Sequence, residues 1–230
     1  MRSLSKSISI LLFSSLPLAT TVHGVMIEVL QGGVSLGTFT PYTGVASAAA
    51  NYNYYSSAAH LSVGPGQVSN EEQIFFYVDG SGNLAFNTVF RTGTGTTRNM
   101  TWNIAVDSIG DQTVQVTDDA GELKELAGGP GTTENFLGKW AWLIGYTDGG
   151  VIGDLSGDWQ ITITPTAYGG GVGTEDIQVY DASGSSIGLA KNTSQTIVFR
   201  PVPDAGTTAA LLGLGLVGLL GVRRSRRSVV

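Results

Sequence analysis

Residues 73–90 read QIFFYVDGSGNLAFNTVF, a pattern typical of a β-hairpin. Two runs rich in aromatic and branched side chains, 73–78 and 83–90, flank the turn residues Asp79-Gly-Ser-Gly82. Gly adopts positive φ without steric cost and Asp hydrogen-bonds its own backbone, so both residue types favour tight turns. The sequence therefore predicts two antiparallel strands joined at this point.

Similar short runs occur on both sides of this hairpin. Turn residues separate them at the spacing of a β-sandwich, and no helical period is sustained between them. We therefore predict an all-β fold, an antiparallel two-sheet sandwich, with a jelly roll as one variant. Residues 122–127 fit either a helical turn or an edge strand. The other predicted strands span residues 25–30, 100–106, 112–117, 140–144, 159–164, 176–180 and 196–199.

The composition fits one globular body with appendages. The chain has 230 residues, of which 42% are hydrophobic and only 13% are charged. This length allows one domain with extensions or at most two small domains. The sequence contains 33 glycines, which disfavour long helices, and no cysteine, so it can form neither a disulfide framework nor a thiolate metal site.

The charge is distributed unevenly. Between Val25 and Pro201 there are six Lys or Arg residues and 17 Asp or Glu residues, which gives this segment a net charge of −11. The other six basic residues lie at the two ends of the chain. A body this acidic repels phosphate backbones, so nucleic acid is excluded as a partner. Solubility after secretion explains the acidity, and cation binding is the main alternative.

The N-terminus has the parts of a signal peptide. Arg2 and Lys6 precede an apolar run over 7–18, which is too short to span a membrane, and small residues follow it. We predict a signal helix over 1–24, with cleavage after Gly24 and Ala19 as the second candidate position. The predicted body then spans residues 25–200, and residues 201–230 form a separate C-terminal segment.

The C-terminal segment has three parts. The motif VPDAGTT at 202–208 precedes an uncharged run at 209–222 that contains four glycines, and a basic tail follows at 223–230. We predict a transmembrane helix over 209–222, although this run is shorter than the ~20 residues that span a bilayer comfortably. The arginines would stay cytoplasmic and the body would lie outside. Such a marginal anchor suits a temporary tether.

This tail resembles the PEP-CTERM family of exosortase sorting signals, and it looks most like the variant whose motif reads Val-Pro-Asp-Ser-Gly-Ser-Thr. The resemblance implies that an exosortase cleaves near the motif while the chain is transiently anchored in the inner membrane. It also implies that the body reaches the cell surface or the extracellular matrix, often alongside exopolysaccharide. An ordinary single-pass tail anchor is the alternative. Ala205 and Thr207 replace the two serines of that motif, and the matching residues are Val202, Pro203, Asp204, Gly206 and Thr208.

The sequence indicates no catalytic site. His60 is the only histidine after the predicted cleavage position, it lies in a segment that reads as a strand, and no Gly-x-Ser-x-Gly elbow surrounds any serine. A glycosidase would need two facing carboxylates. The glutamates occupy polar, turn-like contexts in which we expect solvated side chains: Glu71, Glu72, Glu122, Glu125 and Glu134. We therefore predict that the protein is not an enzyme.

Two kinds of binding site remain as candidates. Trp140 and Trp142 share one strand face by the two-residue period, so they could stack on sugars if exposed or fill the core if buried. Calcium prefers clustered carboxylates, and Asp154 and Asp158 are the candidate ligands, with 79–83 and 118–119 as further acidic turns. Each of these segments is also a good turn sequence without any ion.

The resulting hypothesis is an exported cell-surface or matrix protein that an exosortase processes and whose sandwich is structural or adhesive. A carbohydrate-binding module for exopolysaccharide is the first alternative. A small secreted hydrolase is the second. No cofactor is predicted apart from the candidate calcium.

Overall fold

The computed structural model describes residues 25–54, 58–68, 70–91, 97–128, 132–143, 145–170 and 177–202. The predicted signal helix over 1–24 and the predicted transmembrane helix over 209–222 lie outside these residues. Within the described residues, no helix has the length and apolar character that a membrane crossing requires.

These residues form strands and one short helix. In chain order they are β1 (Ile27–Gln31), β2 (Val34–Phe39), β3 (Tyr42–Thr43), α1 (Ala48–Tyr52), β4 (Glu72–Val78), β5 (Leu84–Arg91), β6 (Arg98–Asp107), β7 (Val114–Thr117), β8 (Leu123–Ala127), β9 (Thr133–Trp142), β10 (Thr147–Leu155), β11 (Gln160–Gly169), β12 (Ile177–Tyr180), β13 (Ser186–Leu189) and β14 (Ile197–Pro201).

The strands form two sheets, which confirms the predicted all-β class. The first sheet has the order β2-β1-β14-β11-β6-β9-β8 and every neighbouring pair in it is antiparallel. The second sheet has the order β13-β12-β4-β5-β10-β7, with β3 also paired to β4. The segment at 122–127 contributes the edge strand β8, not a helical turn. The jelly-roll variant stays a prediction.

The second sheet is mixed, so the prediction of a wholly antiparallel sandwich was wrong for it. Both β12 and β3 run parallel to β4. A hairpin turn forces its two strands to be antiparallel, but neither of these strands follows its partner through a hairpin. The chain enters β12 from β11, which belongs to the other sheet, so no tight turn fixes the direction of β12.

The predicted hairpin at 73–90 is confirmed as β4 and β5. The two strands pair from Glu72 opposite Phe90 to Val78 opposite Leu84. Asp79 organises the turn between them, because its Oδ1 accepts hydrogen bonds from the backbone N–H groups of Ser81 at 2.8 Å and Asn83 at 2.9 Å. This is the local hydrogen bonding for which aspartate is favoured in turns.

The main core lies between the two sheets. Alternate residues of β6 point into it, so Met100, Trp102, Ile104 and Val106 are buried while their neighbours are more exposed. Aromatic contacts cross the interface, as in the 5.4 Å between the ring centres of Phe76 on β4 and Phe199 on β14. Burial of large aromatic rings is the dominant favourable contribution to holding such sheets together.

A second layer covers the outer face of the second sheet. Tyr52 of α1 packs with Phe75, Tyr77, Val89 and Val151, which point away from the main core. Strands β4, β5 and β10 are therefore buried on both faces. Two-sided burial explains why 73–78 is nearly continuous in apolar residues and does not alternate.

Candidate functional site

Four acidic side chains converge at one edge of the sandwich. Asp118, Asp119 and Glu122 lie in the loop between β7 and β8, and Asp148 lies near the start of β10. Carboxylate oxygens of Asp119, Glu122 and Asp148 all lie within 4.8 Å of one another. In the part of the chain that the structure describes, no other group of three or more His, Cys, Asp or Glu residues meets this spacing. We call these four residues the acidic cluster.

Strand pairing brings the acidic cluster together. Strands β7 and β10 are antiparallel, and Thr117 of β7 lies opposite Gly150 of β10. Asp118 and Asp119, which come directly after Thr117, therefore lie near Asp148, which comes two residues before Gly150. The loop then turns back towards the first sheet, with the N–H of Glu122 donating to the carbonyl of Asp119 at 3.2 Å. Gly121 has a φ of +88°, a conformation in which a side chain would be strained.

The carboxylates of the cluster are only partly satisfied by hydrogen bonds. Asp148 is 5% exposed, and its Oδ2 accepts a hydrogen bond from the N–H of Ala141 at 2.9 Å. Asp118 is 8% exposed, and its Oδ1 has no hydrogen-bond partner. The buried Oε2 of Glu122 also lacks one. The side chains of Glu122 and Asp148 are also hydrogen-bonded to each other, so within the described residues only Oδ1 of Asp118 and Oε2 of Glu122 are buried acceptors of the cluster without a partner.

Within the described residues, Tyr52 is the one hydrogen-bond donor to the Asp118 carboxylate, and its hydroxyl is shared with a second acceptor. The Tyr52 hydroxyl lies 3.3 Å from Oδ2 of Asp118 and 3.1 Å from the carbonyl of Thr88. A phenol has one proton to donate, so it serves only one of these two acceptors at a time. When it donates to Thr88, neither oxygen of Asp118 receives a hydrogen bond from it.

Burial and mutual repulsion disfavour the charged forms of these acids. Burial raises the pKa of Asp118 to about 8, and the charge of Asp148 adds to the shift. Burial likewise raises the pKa of Glu122 to about 8, with the charges of Asp148 and Asp119 contributing. The pKa of Asp148 is also raised by burial. Ion pairs of the described residues involve Glu72 and Glu28, so none compensates the acidic cluster.

A pocket of about 200 Å³ opens beside the acidic cluster. Asp119 and Asp148 line it together with the aromatic side chains of Tyr54, Trp142 and Tyr146. It is smaller than the roughly 300–1,000 Å³ of most small-molecule sites. The pocket gives solvent and small ions access to two of the four carboxylates.

The candidate sugar-binding residues lie in the core. Trp140 and Trp142 are each 1% exposed, and their rings pack on Phe90 with centres 5.0 and 5.3 Å away. The indole N–H of Trp140 donates to the carbonyl of Gly149 at 3.1 Å. A buried ring cannot stack on a sugar, so of the two alternatives that the sequence left open, these two side chains fill the core.

The candidate calcium ligands Asp154 and Asp158 belong to no group of three or more closely spaced acids among the described residues. Asp154 lies on β10, where its Oδ2 is 3.2 Å from Nε2 of Gln115 and 3.3 Å from Oγ1 of Thr113. Neither acid belongs to the three-residue group described above. Calcium at Asp154 and Asp158 stays a prediction, whereas the acidic turn at 118–119 contributes directly to the acidic cluster.

Two other expectations about polar residues were wrong. Glu72 and Glu134 are fully buried, not solvated. His60 lies in irregular chain rather than in a strand, and its side chain is exposed. Glu72 lies between the sheets at 3.3 Å from Nη1 of Arg98 and 2.7 Å from Nζ of Lys191.

Both ends of the folded body leave the sandwich at one place. Strand β1 pairs with β14 so that Ile27 lies opposite Pro201, and the N–H of Val202 donates to the carbonyl of Met26 at 2.8 Å. Val202 is the first residue of the predicted sorting motif and the last residue that the structure describes, and it is hydrogen-bonded to the body. Pro203 to Thr208 lie outside the described residues.

Residues 201–226 match the family model of the VPDSG-CTERM motif. The chain carries a PEP-CTERM-like sorting signal. The match begins at Pro201, the last residue of β14, and does not extend further into the body. No curated protein and no solved structure matches the chain.

Proposed function

We propose that the chain is an exported cell-surface or extracellular-matrix protein, that an exosortase acts on Val202–Thr208, and that the sandwich remains as a structural or adhesive module. The sorting signal at 201–226 is the observation that carries this proposal. The position of the motif supports the proposal further, because Val202 directly follows β14, the last strand of the described residues. Cleavage anywhere after Val202 therefore removes no strand of either sheet.

The body fits a non-enzymatic role better than the two alternatives. The carbohydrate-binding alternative has lost its main support, since Trp140 and Trp142 are buried. One observation supports the hydrolase alternative, namely the pocket lined by Asp119 and Asp148. However, a glycosidase needs two carboxyl groups at least ~5 Å apart with the scissile bond between them. One carboxylate oxygen from each of Asp119, Glu122 and Asp148 lies within 4.8 Å of the others, which is closer than this spacing, and the pocket beside them is small.

The sorting proposal is tested by the intact mass of the protein from its native host, measured in cell and medium fractions. We expect a surface or medium species that lacks both the first 24 residues or so and the segment after the motif. A single stable species that retains residues 209–230 would show an ordinary tail anchor and overturn the exosortase step.

Motif variants sharpen this test. Gly206→Ala adds a side chain where a protease needs access to the backbone, so we expect the unprocessed mass to accumulate. Thr207→Ser is the matched control, because it brings the motif closer to the family pattern and should leave processing unchanged. Equal processing of both variants would contradict recognition of this motif.

A further inference from the structure

We propose that the side of the sandwich formed by the edge strands β2 and β13 is an interface between two copies of this chain. The proposal rests on the structural role proposed above for the body, and it names a second copy as the partner of that body. It does not depend on the sorting step, so it holds or fails whether or not an exosortase processes the tail. We call this surface the open side.

Two sheet edges meet at the open side. Among the described residues, β1 is the one strand paired with β2, and β12 is the one strand paired with β13. Each of the two edge strands therefore has no strand on its outer side in this part of the chain. The backbone N–H and C=O groups along such an edge form a template on which another chain can add a strand.

The structure holds the two edges side by side. A Cβ at Gly37 of β2 would lie 3.2 Å from Cδ1 of Ile187 on β13, so the two strands are in close contact. At one end of β2, Oδ2 of Asp181 accepts hydrogen bonds from the backbone N–H and the hydroxyl of Thr40, at 2.7 and 2.9 Å. Because Asp181 lies in the turn between β12 and β13, these bonds fix the two sheets to each other there. The open side is thus one preformed surface.

The two edge strands carry no charge, although the body is strongly acidic. Strand β2 reads VSLGTF and β13 reads SIGL, and residues 29–70 and 182–190 contain no Asp, Glu, Lys or Arg. Natural proteins commonly protect exposed edges with charged residues or proline, and neither occurs in these two strands. Two copies of a body with a net charge of −11 repel each other, so electrostatics favours contact where charge is absent.

The opposite side of the sandwich is charged. It is formed by β8 of the first sheet and β7 of the second, and the loop that joins them holds three residues of the acidic cluster. Strand β8 itself contains Lys124 and Glu125, both of which are exposed. Two copies that met through this side would bring their acidic clusters together, and like charges across an interface are unfavourable. Of the two sides, the open side therefore suits a second copy.

Pairing of the open side with itself stops at two copies. Such a contact has twofold symmetry and leaves no equivalent surface for a third copy, whereas contact between the open side and the opposite side would continue into a filament. The head-to-tail contact would also cover the exposed Lys124 and Glu125 with an uncharged edge, and desolvating unpaired charges is costly. The charge distribution thus favours the closed dimer.

Exposed apolar side chains on β2 add to the contact. Val34 is 64% exposed and Leu36 is 40% exposed. A register shift in the pairing of β1 with β2 leaves Leu36 without a partner residue on β1. A bulge of this kind bends a strand. We therefore expect backbone pairing along part of β2, together with packing of Leu36 against the second copy at the bend.

The oligomeric state of the full chain tests the proposal. It is measured by sedimentation in detergent over a range of concentrations, beside a chain that ends at Thr208. We expect dimers of both, because the interface lies in the body. Monomers up to the limit of solubility would overturn the proposal. Dimers of the full chain alone would show that the tail associates, and open-ended growth would show head-to-tail contact, so either result would also overturn it.

Charged variants at Leu36 locate the interface. Leu36→Lys and Leu36→Glu each bring like charges together in a twofold contact, so each alone should lose the dimer. An equimolar mixture of the two should recover it, because opposite charges then meet. Leu36→Lys also makes the acidic body less acidic, so loss of its dimer cannot come from a higher net charge.

The matched control is Thr164→Lys, because Thr164 is exposed on β11 in the interior of the first sheet. This variant carries the same added charge and should keep the dimer. Near-UV circular dichroism of each variant checks that the exposed substitutions leave the fold intact. Dimers of both Leu36 variants alone, or folded variants whose mixture stays monomeric, would contradict an interface at β2.

Discussion

At the scale of single residues, Glu72 shows how this acidic body tolerates a buried charge. Glu72 is the first residue of β4 and is fully buried. Its carboxylate forms ion pairs with Arg98, the first residue of β6, and with Lys191. Side chains alternate along a strand, so Glu72 lies on the same face of β4 as Ile74, and Arg98 lies on the same face of β6 as Met100. Both faces line the main core. The ion pair thus lies at one end of the core and links the two sheets, whereas no ion pair among the described residues involves the acidic cluster.

Removing the Glu72 charge should destabilise the body strongly. Glu72→Gln leaves two cations without their shared partner in a nearly water-free site, and breaking one side of a buried ion pair costs about 3–5 kcal/mol. The measurement is the free energy of unfolding by denaturant at neutral pH. Glu28→Gln is the matched control, since Glu28 pairs with Arg200 at the solvent-exposed surface, where an ion pair contributes little to stability. Equal losses in the two variants would contradict a special role for Glu72.

At the scale of strands, glycines in β9 and β10 allow contacts for which a side chain leaves no room. A Cβ at Gly138 would lie 2.0 Å from the indole of Trp140, which folds back over this position of the same strand. A Cβ at Gly149 would lie 2.0 Å from the carbonyl of Thr88 on the neighbouring strand β5. These positions admit no side chain, so glycine there reflects packing rather than a turn.

Gly138→Ala should therefore displace Trp140 from the core. The indole is held by Phe90 and by its hydrogen bond to Gly149, and overpacking of this kind typically costs about 1–3 kcal/mol. We expect a lower free energy of unfolding together with altered tryptophan fluorescence. Gly66→Ala is the control, because a Cβ there meets nothing within 4 Å. Native-like fluorescence and stability in Gly138→Ala would refute this packing.

The glycines of β10 explain why the sequence does not predict this strand. The hairpin of β4 and β5 was predictable because two apolar runs flank a turn containing aspartate and glycine. Strand β10 was missed, since Asp148-Gly-Gly150 and Gly153-Asp154 look like turns. Its strand character comes from pairing with β5 and β7, which only the tertiary structure supplies.

The sequence predicts only part of the candidate site. The pair Asp118 and Asp119 stands out in the sequence as an acidic turn, but nothing local connects it to Asp148 about 30 residues later. Their proximity follows from the register of β7 and β10. The burial of Trp140 and Trp142 was equally undecidable, because the two-residue period shows that the rings share a face but not which face is covered.

At the scale of the whole molecule, the pairing of β1 with β14 places both processed ends together. The predicted signal cleavage after Gly24 lies just before β1, and the sorting motif begins just after β14. The body between them is closed by strand β14, which lies between β1 and β11 inside the first sheet and contributes Ile197 and Phe199 to the core. Processing at either end therefore leaves every strand in place.

This arrangement predicts that removing the tail leaves the stability of the body unchanged. A chain ending at Thr208 keeps the hydrogen bond from Val202 to Met26, so its free energy of unfolding should lie within about 0.5 kcal/mol of the full chain, measured in the same detergent. A chain ending at Gln195 loses β14 and should not fold. A loss above about 1 kcal/mol in the first truncation would mean that the tail packs on the sandwich, in which case release from the membrane would weaken the exported protein.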